Sequence, residues 1–195
     1  MTQADEERAQ ADELSQGSVV AVLLQQHATI RDLFADVKAA DGRRKKQLFD
    51  ELLRLLAVHE MGEEVVVRPV TREVAGAGDD VAEARDQEEA EAGQAIAELE
   101  RMDVTSPEFD VAFAAFERAV SEHAVSEEQL EFSKLVEERS PEVLEELGLA
   151  LLAGQSAASA QQRIGDGGEG REPGEPGGSA TFESLLAQAR QAFED

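Results

Sequence analysis

Cysteine, tryptophan and tyrosine are absent from the 195 residues. Without cysteine there is no disulfide, no thiolate metal ligand and no cysteine nucleophile. Without tyrosine or tryptophan the chain lacks the usual side chains of a radical relay, which counts against a radical-dependent oxygenase or reductase. No run of about 18 apolar residues occurs, so nothing reads as a membrane span. The opening stretch "MTQADEERAQADELSQG" has neither the basic start nor the apolar core of a secretory signal, and the expected location is the cytoplasm. Basic residues are scarce, 18 against 43 acidic ones, for a net charge of −25. Such a chain repels phosphate backbones and anionic lipid heads, so no nucleic-acid or membrane partner is expected. Its one basic cluster, "GRRKK" at 42–46, has no interleaved aromatics and reads as a solvated loop and helix start. There is no G-x-S-x-G elbow, no phosphate-binding glycine loop before a helix, and no nucleophile beside a base.

What remains is dominated by Ala, Leu, Glu, Gln and Arg, all strong helix formers, and the expected class is all-α. Residues 1–16 are polar and acidic and are expected to be disordered. A first long helix follows to about Ala40, with the apolar stripe Val20, Leu23, His27, Ile30, Phe34 and Val37. The dipeptide Asp41-Gly42 breaks it. A second runs from about Arg44 past Val67 with Leu48, Leu52, Leu55, Leu56, His59, Glu63 and Val66 in line, and Pro69 should end or kink it. A third, about 80–102, is weaker in pattern. Ser106-Pro107 starts a fourth, to about 138, through Phe109, Phe113, Phe116, Val120, His123, Glu127 and Leu130. Ser140-Pro141 starts a short fifth to about Ala153. Four long amphipathic helices on short connections predict an antiparallel up-down four-helix bundle over 17–153. Residues 155–180 turn to Gly, Ser, Ala, Pro and charge and read as a flexible linker. The chain closes in an amphipathic helix over 181–195, with Phe182, Leu185, Leu186 and Phe193 on one face.

The only three histidines, His27, His59 and His123, fall on the apolar stripes of three different helices. Two of them open the same pattern, His-x-x-x-Glu, as His59/Glu63 and His123/Glu127. Residues four apart share a helix face, so both donors of each pair project toward the bundle axis. A histidine on an apolar face is more often a structural core residue, and a glutamate there can snorkel to solvent. However, burying several carboxylates without counter-charge costs several kcal/mol each. No Lys or Arg stands at the matching stripe positions of the first, second and fourth helices, so a metal pair is the most economical neutraliser. Imidazole and carboxylate donors suit iron or manganese.

The segments "QQHATIRDLF", "HEMGEEVVVRP" and "SEHAVSEEQLEF" resemble the successive signatures of hemerythrin-like domains, the HHE cation-binding family, from about Val19 to Glu138. The resemblance implies an antiparallel bundle holding two iron ions, oxo- or hydroxo-bridged. It implies His27 and His59 on one iron, Glu63 and Glu127 as bridges, and His123 on the second, with Glu128 in reserve for Glu127. The third helix departs from the oxygen carriers, which place two histidines there. Here the corresponding positions are Arg85 and Glu89, so Glu89, or its neighbour Glu88, is a lesser candidate ligand. Glu60 is another, its alternative being an outward solvated residue. Exchanging imidazoles for carboxylates favours ferric states, so the family resemblance implies reaction with peroxide or dioxygen, a catalase- or peroxidase-like or oxidative-stress role. The alternatives are a non-enzymatic iron, oxygen or redox sensor, or an O2-binding protein. Some bacterial relatives are packaged into protein shells by C-terminal peptides. The terminal helix is thus either a docking element for a shell or a second copy, through Phe182, Leu185, Leu186 and Phe193, or a segment folded back on its own bundle.

Overall fold

The computed structural model describes residues 1–74, 91–166 and 180–194, and among these every regular element is helical. The elements are α1 (Gln3–Glu13), α2 (Val19–Ala39), α3 (Gly42–Gly62), α4 (Arg68–Val74), α5 (91–99), α6 (Pro107–Glu127), α7 (Ser133–Glu138), α8 (Pro141–Asp166) and α9 (Phe182–Glu194). Two π-helical turns, Glu63–Val67 and Glu128–Phe132, join α3 to α4 and α6 to α7 without a break.

Local chemistry sets the ends. The Ser18 hydroxyl accepts from the Ala21 N–H at the start of α2, and the Ser106 hydroxyl accepts from the Phe109 N–H ahead of Pro107 in α6. Gly42 takes φ +51°, the left-handed conformation that lets α3 double back on α2 within two residues. Pro69 does not terminate its helix. The π turn ahead of it widens the backbone, and the prolyl nitrogen falls in the first turn of α4, where an N–H is not required.

Long-range packing divides the interior into two apolar layers. One holds Ile30, Phe34 and Val37 of α2 with Leu48, Phe49, Leu52 and Leu56 of α3, Ile96 and Leu99 of α5, and Phe109, Phe113 and Phe116 of α6. The other holds Val20, Leu23 and Leu24 of α2 with Val67, Phe132, Leu135, Leu144 and Leu151. Along α2 the second layer comes first; along α3 and α6 it comes last. The helices therefore run antiparallel to α2, as an up-down bundle requires, and the polar residues between the layers share one level.

Several expectations are corrected at the periphery. Residues 1–16, expected to be disordered, contain α1. A reciprocal cap starts it: the Thr2 hydroxyl accepts from the Asp5 N–H, and the Asp5 carboxylate accepts from the Thr2 N–H, a bond that holds it below its usual range. The α1 sequence hides its role because the face it buries is Ala4, Glu7 and Ala11, not an apolar stripe. Glu7 accepts from Arg31 of α2 at 2.5 Å, and Arg8 pairs with Asp32. Burial raises the Glu7 carboxyl and the Arg31 contact opposes it. Lys45, read as solvated, is buried, its ammonium 2.5 Å from Asp110 and 5.4 Å from the centre of the Phe109 ring.

The fifth helix is not short. It continues from Pro141 to Asp166, through half of the expected linker, because Ala and Gln sustain a helix and the small face at Gly154 and Ala158 fits under α9. The remainder of that linker, 167–179, lies outside the described residues. The terminal helix α9 packs on α3 and α8 with Phe182, Leu185 and Ala189 buried. The face expected for docking is thus covered by the chain's own bundle, the fold-back that the sequence left open. A Cβ at Gly154 would lie 2.1 Å from the Phe193 ring. Gly154→Ala is therefore expected to displace the last turn of α9 and speed tryptic cleavage after Arg190; an unchanged digestion rate would contradict this seat for Phe193.

Candidate metal centre

Between the two apolar layers, α2 supplies His27, α3 supplies His59 and Glu60, the first π turn supplies Glu63, and α6 supplies His123 and Glu127. His27, His59, Glu63 and Glu127 are 2 %, 3 %, 5 % and 5 % exposed, a depth at which ionised groups need partners. The His59 Nε2 lies 3.6 Å from Glu63 Oε1, the His27 Nε2 lies 3.6 Å from Glu127 Oε2, and the His123 Nε2 lies 3.1 Å from Glu127 Oε1. Donor atoms of His27, His59, Glu63 and Glu127 fall within 4.8 Å of one another; so do those of Glu60, Glu63 and His123. The His27 and His59 rings meet edge to face at 5.0 Å, and His27 stacks on Phe132 at 5.6 Å.

The outer nitrogens are engaged elsewhere. The His27 Nδ1–H donates to Glu128 Oε1 and the His59 Nδ1–H donates to Gln26 Oε1, each at 2.8 Å. Glu128, held in reserve as a bridge, thus stands behind His27 and orients it. Both rings turn an Nε2 lone pair inward. Among the described residues His27 Nε2, Glu63 Oε1 and Glu127 Oε2 are buried without a hydrogen-bond partner. Three orphaned acceptors converging on one point are what a cation would satisfy, so the donor set fits a metal.

Electrostatics separates the two inward carboxylates. Burial pushes Glu63 well above the usual range, reinforced by the negative charges of Glu127, Glu60 and Glu131 and opposed by Arg68. Burial also works against ionising Glu127, but the His123 hydrogen bond and the neighbouring imidazoles of His123, His27 and His59 hold it down, at about 2. Burial, with the neighbouring His27, lowers His59 to about 3, so its imidazole is neutral near pH 7. One carboxylate is therefore held ionised among the imidazoles, while burial and like charge disfavour ionising the other.

Each π turn begins at or directly after an inward glutamate, Glu63 on one helix and Glu127 on the other. A π turn inserts one residue into the helical register. It lets His and Glu face the axis while Val67 and Phe132 still reach the apolar layer beyond. Between α5 and α6 the described residues leave a cavity of about 300 Å³, lined by Glu60, Ala92, Phe116, Val120 and His123 among others. Glu60 and His123 bring it to the edge of the polar level.

The Hemerythrin HHE cation binding domain model matches residues 18–135. The chain belongs to that family. The matched hemerythrin segment starts at the N-cap of α2 and ends in α7, so α1, α8 and α9 lie outside it. A crystal structure of a hemerythrin HHE cation binding domain-containing protein from Mycobacterium kansasii is similar in fold, with a TM-score of 0.67 and 23% identity. The similarity covers 88% of this chain and 98% of that one. Among curated proteins none matches the sequence.

Five of the residues singled out in the sequence, His27, His59, Glu63, His123 and Glu127, meet at this level, and half-buried Glu60 joins them from the side of the cavity. Glu89, Glu88 and Arg85 lie outside the described residues. Sequence reasoning missed Gln26 and assigned Glu128 a different place. Gln26 precedes His27 but serves His59, a pairing that no spacing along one helix reveals. No described helix is long and apolar enough to cross a membrane.

Proposed function

We propose that this hemerythrin-family chain binds two iron ions and reacts with peroxide or dioxygen, in a peroxidase- or catalase-like, oxidative-stress role in the cytoplasm. The observation that carries the reading is the pair of donor clusters sharing Glu63, with Glu127 between His27 and His123. In this reading His27 and His59 would hold one iron and His123 and Glu60 the other, with Glu63 and Glu127 contributing to both. Iron bound here supplies one-electron redox chemistry and an acidic position for a small oxygen ligand.

The chain's own groups do the rest. Ala92, Phe116 and Val120 give the approach an apolar wall. Glu60, at the cavity edge beside His123, would serve either as that iron's carboxylate or as the group that gives and takes a proton at an incoming oxygen atom. No histidine occurs between His59 and His123, so the donor set is richer in carboxylate than that of a reversible oxygen carrier.

One observation favours a second reading, an iron or redox sensor. Arg190 of α9 forms a double hydrogen bond at 2.9 and 2.8 Å with Glu64, the neighbour of Glu63, so movement at the bridge reaches the tail.

The test is metal analysis with Mössbauer spectra on the full chain expressed with iron, followed by peroxide consumption. Two iron ions per chain, lost in His59→Ala/Glu63→Ala, with turnover by the native protein, is the expected result. Absence of stoichiometric iron from the native chain would overturn both readings. Iron without turnover, but with proteolysis of α9 that depends on loading, would favour the sensor.

A further inference from the structure

His27 and His59 are oriented by different chemistry. Behind His27 stands a carboxylate, Glu128, which only accepts, so the imidazole hydrogen is fixed on Nδ1. Behind His59 stands an amide, Gln26, which can accept through Oε1 or, rotated by half a turn, donate through Nε2. The rotated amide would force the His59 hydrogen onto Nε2, the nitrogen that faces Glu63. An amide in this place needs a further group to set its direction.

That group is on α8. The Gln26 Nε2–H donates to Gln155 Oε1 at 2.8 Å, across 129 residues of sequence. Gln155 makes this contact as an acceptor, while its own Nε2 is buried without a hydrogen-bond partner among the described residues. The same residue lies beside the notch where Gly62, the last residue of α3, meets Leu151 and Phe193. α8 lies outside the segment matched by the family model, which ends at residue 135.

We infer that Gln155 is a positioning residue for the metal centre: by accepting from Gln26 it sets the direction of that amide, and so holds His59 in the tautomer that turns the Nε2 lone pair toward Glu63. The inference deepens the di-iron reading in naming what prepares a ligand, but the tautomer itself exists in the metal-free protein and can be read there. It also gives α8 a part in the centre that the bundle's four helices do not supply.

The experiment is long-range 15N–1H correlation of the imidazoles in the metal-free full chain, where three histidines give three resolvable patterns assigned by single substitutions. Iron affinity by chelator competition is measured alongside. The native chain should show His59 with its hydrogen on Nδ1. Gln155→Met, which keeps the shape and removes the acceptor, should shift His59 toward the Nε2–H form and weaken iron binding by about 10–100-fold.

Adding Gln26→Glu to Gln155→Met places behind His59 the same acceptor-only group that stands behind His27. This double variant should restore the Nδ1–H form and most of the affinity, which a merely structural role for Gln155 would not produce. Native His59 in the Nε2–H form, or Gln155→Met with unchanged tautomer and affinity, would overturn the inference. A tautomer that responds as described in a chain that never takes up iron would support it while removing the di-iron reading.

Discussion

Glu63→Gln is expected to make the metal-free protein more stable near neutral pH and at the same time to lower its capacity to take up iron. Glu63 is 5 % exposed, and burial together with Glu127, Glu60 and Glu131 holds its carboxyl well above the usual value of 4.5. The folded chain therefore keeps the Glu63 proton to higher pH than the unfolded chain does. Stability from this group is complete below about pH 4.5 and is lost as pH rises through the folded value. Near neutrality the metal-free protein carries that cost, which a cation between Glu63 and Glu127 offsets. Glutamine has the same shape and no charge. The metal-free variant should melt several degrees higher at pH 7–8, a gain on the order of 1 kcal/mol or more, and should lose less stability than the native chain between pH 5 and 9. Because an amide cannot serve as an anionic bridge, iron per chain should fall below that of the native protein. Melting curves of both metal-free chains across that range, with elemental analysis after iron loading, check both halves. An unchanged midpoint with full iron would mean that Glu63 is neither strained nor a ligand.

The second large effect is expected far from the polar level, at Gly148→Ala. A Cβ there would lie 2.0 Å from the Gly17 carbonyl oxygen, 2.9 Å from the Val19 nitrogen and 3.0 Å from the Ser18 carbonyl carbon. All three are backbone atoms at the capped start of α2 and cannot rotate aside. The helix α8 must back away, and with it Leu144 and Leu151 of the second apolar layer. Overpacking against fixed backbone costs roughly 3 kcal/mol, which in a chain of this size lowers the melting midpoint by about 10 °C. Helix propensity alone has the opposite sign, since alanine is favoured over glycine inside a helix by about 1 kcal/mol. Gly93→Ala is the matched control: it lies in α5 with nothing within 4 Å of the added carbon and should be neutral or slightly stabilising. If both substitutions stabilise, the close approach of α8 to the Gly17–Val19 corner is wrong. Loss in the first alone establishes it.

The sequence by itself determined the bundle and the level of its polar centre. Apolar residues at three- and four-residue spacing fix which face of α2, α3 and α6 is buried, because only one stripe of each helix can leave water. His59/Glu63 and His123/Glu127 are legible for the same reason: one helical turn puts both side chains on that stripe. The family motifs, matched over 18–135, belong to this local kind of information.

What the sequence could not show depends on contacts between helices distant along the chain. The short polar α1 has no stripe, and its place rests on Glu7 meeting Arg31 of α2. α8 runs past its expected end because Gly154 and Ala158 offer a shallow face to α9. The terminal helix carries the same apolar face whether it docks elsewhere or folds back, and the notch at Gly62 and Gly154 that receives Phe193 decides between them. Likewise, nothing in the spacing marks Gln26 and Glu128 as partners of histidines, or Gln155 as the partner of Gln26. A hydrogen bond reports which atoms face each other across helices, and only the packed bundle specifies that: periodicity places a side chain on a face, and tertiary structure alone chooses what stands opposite it.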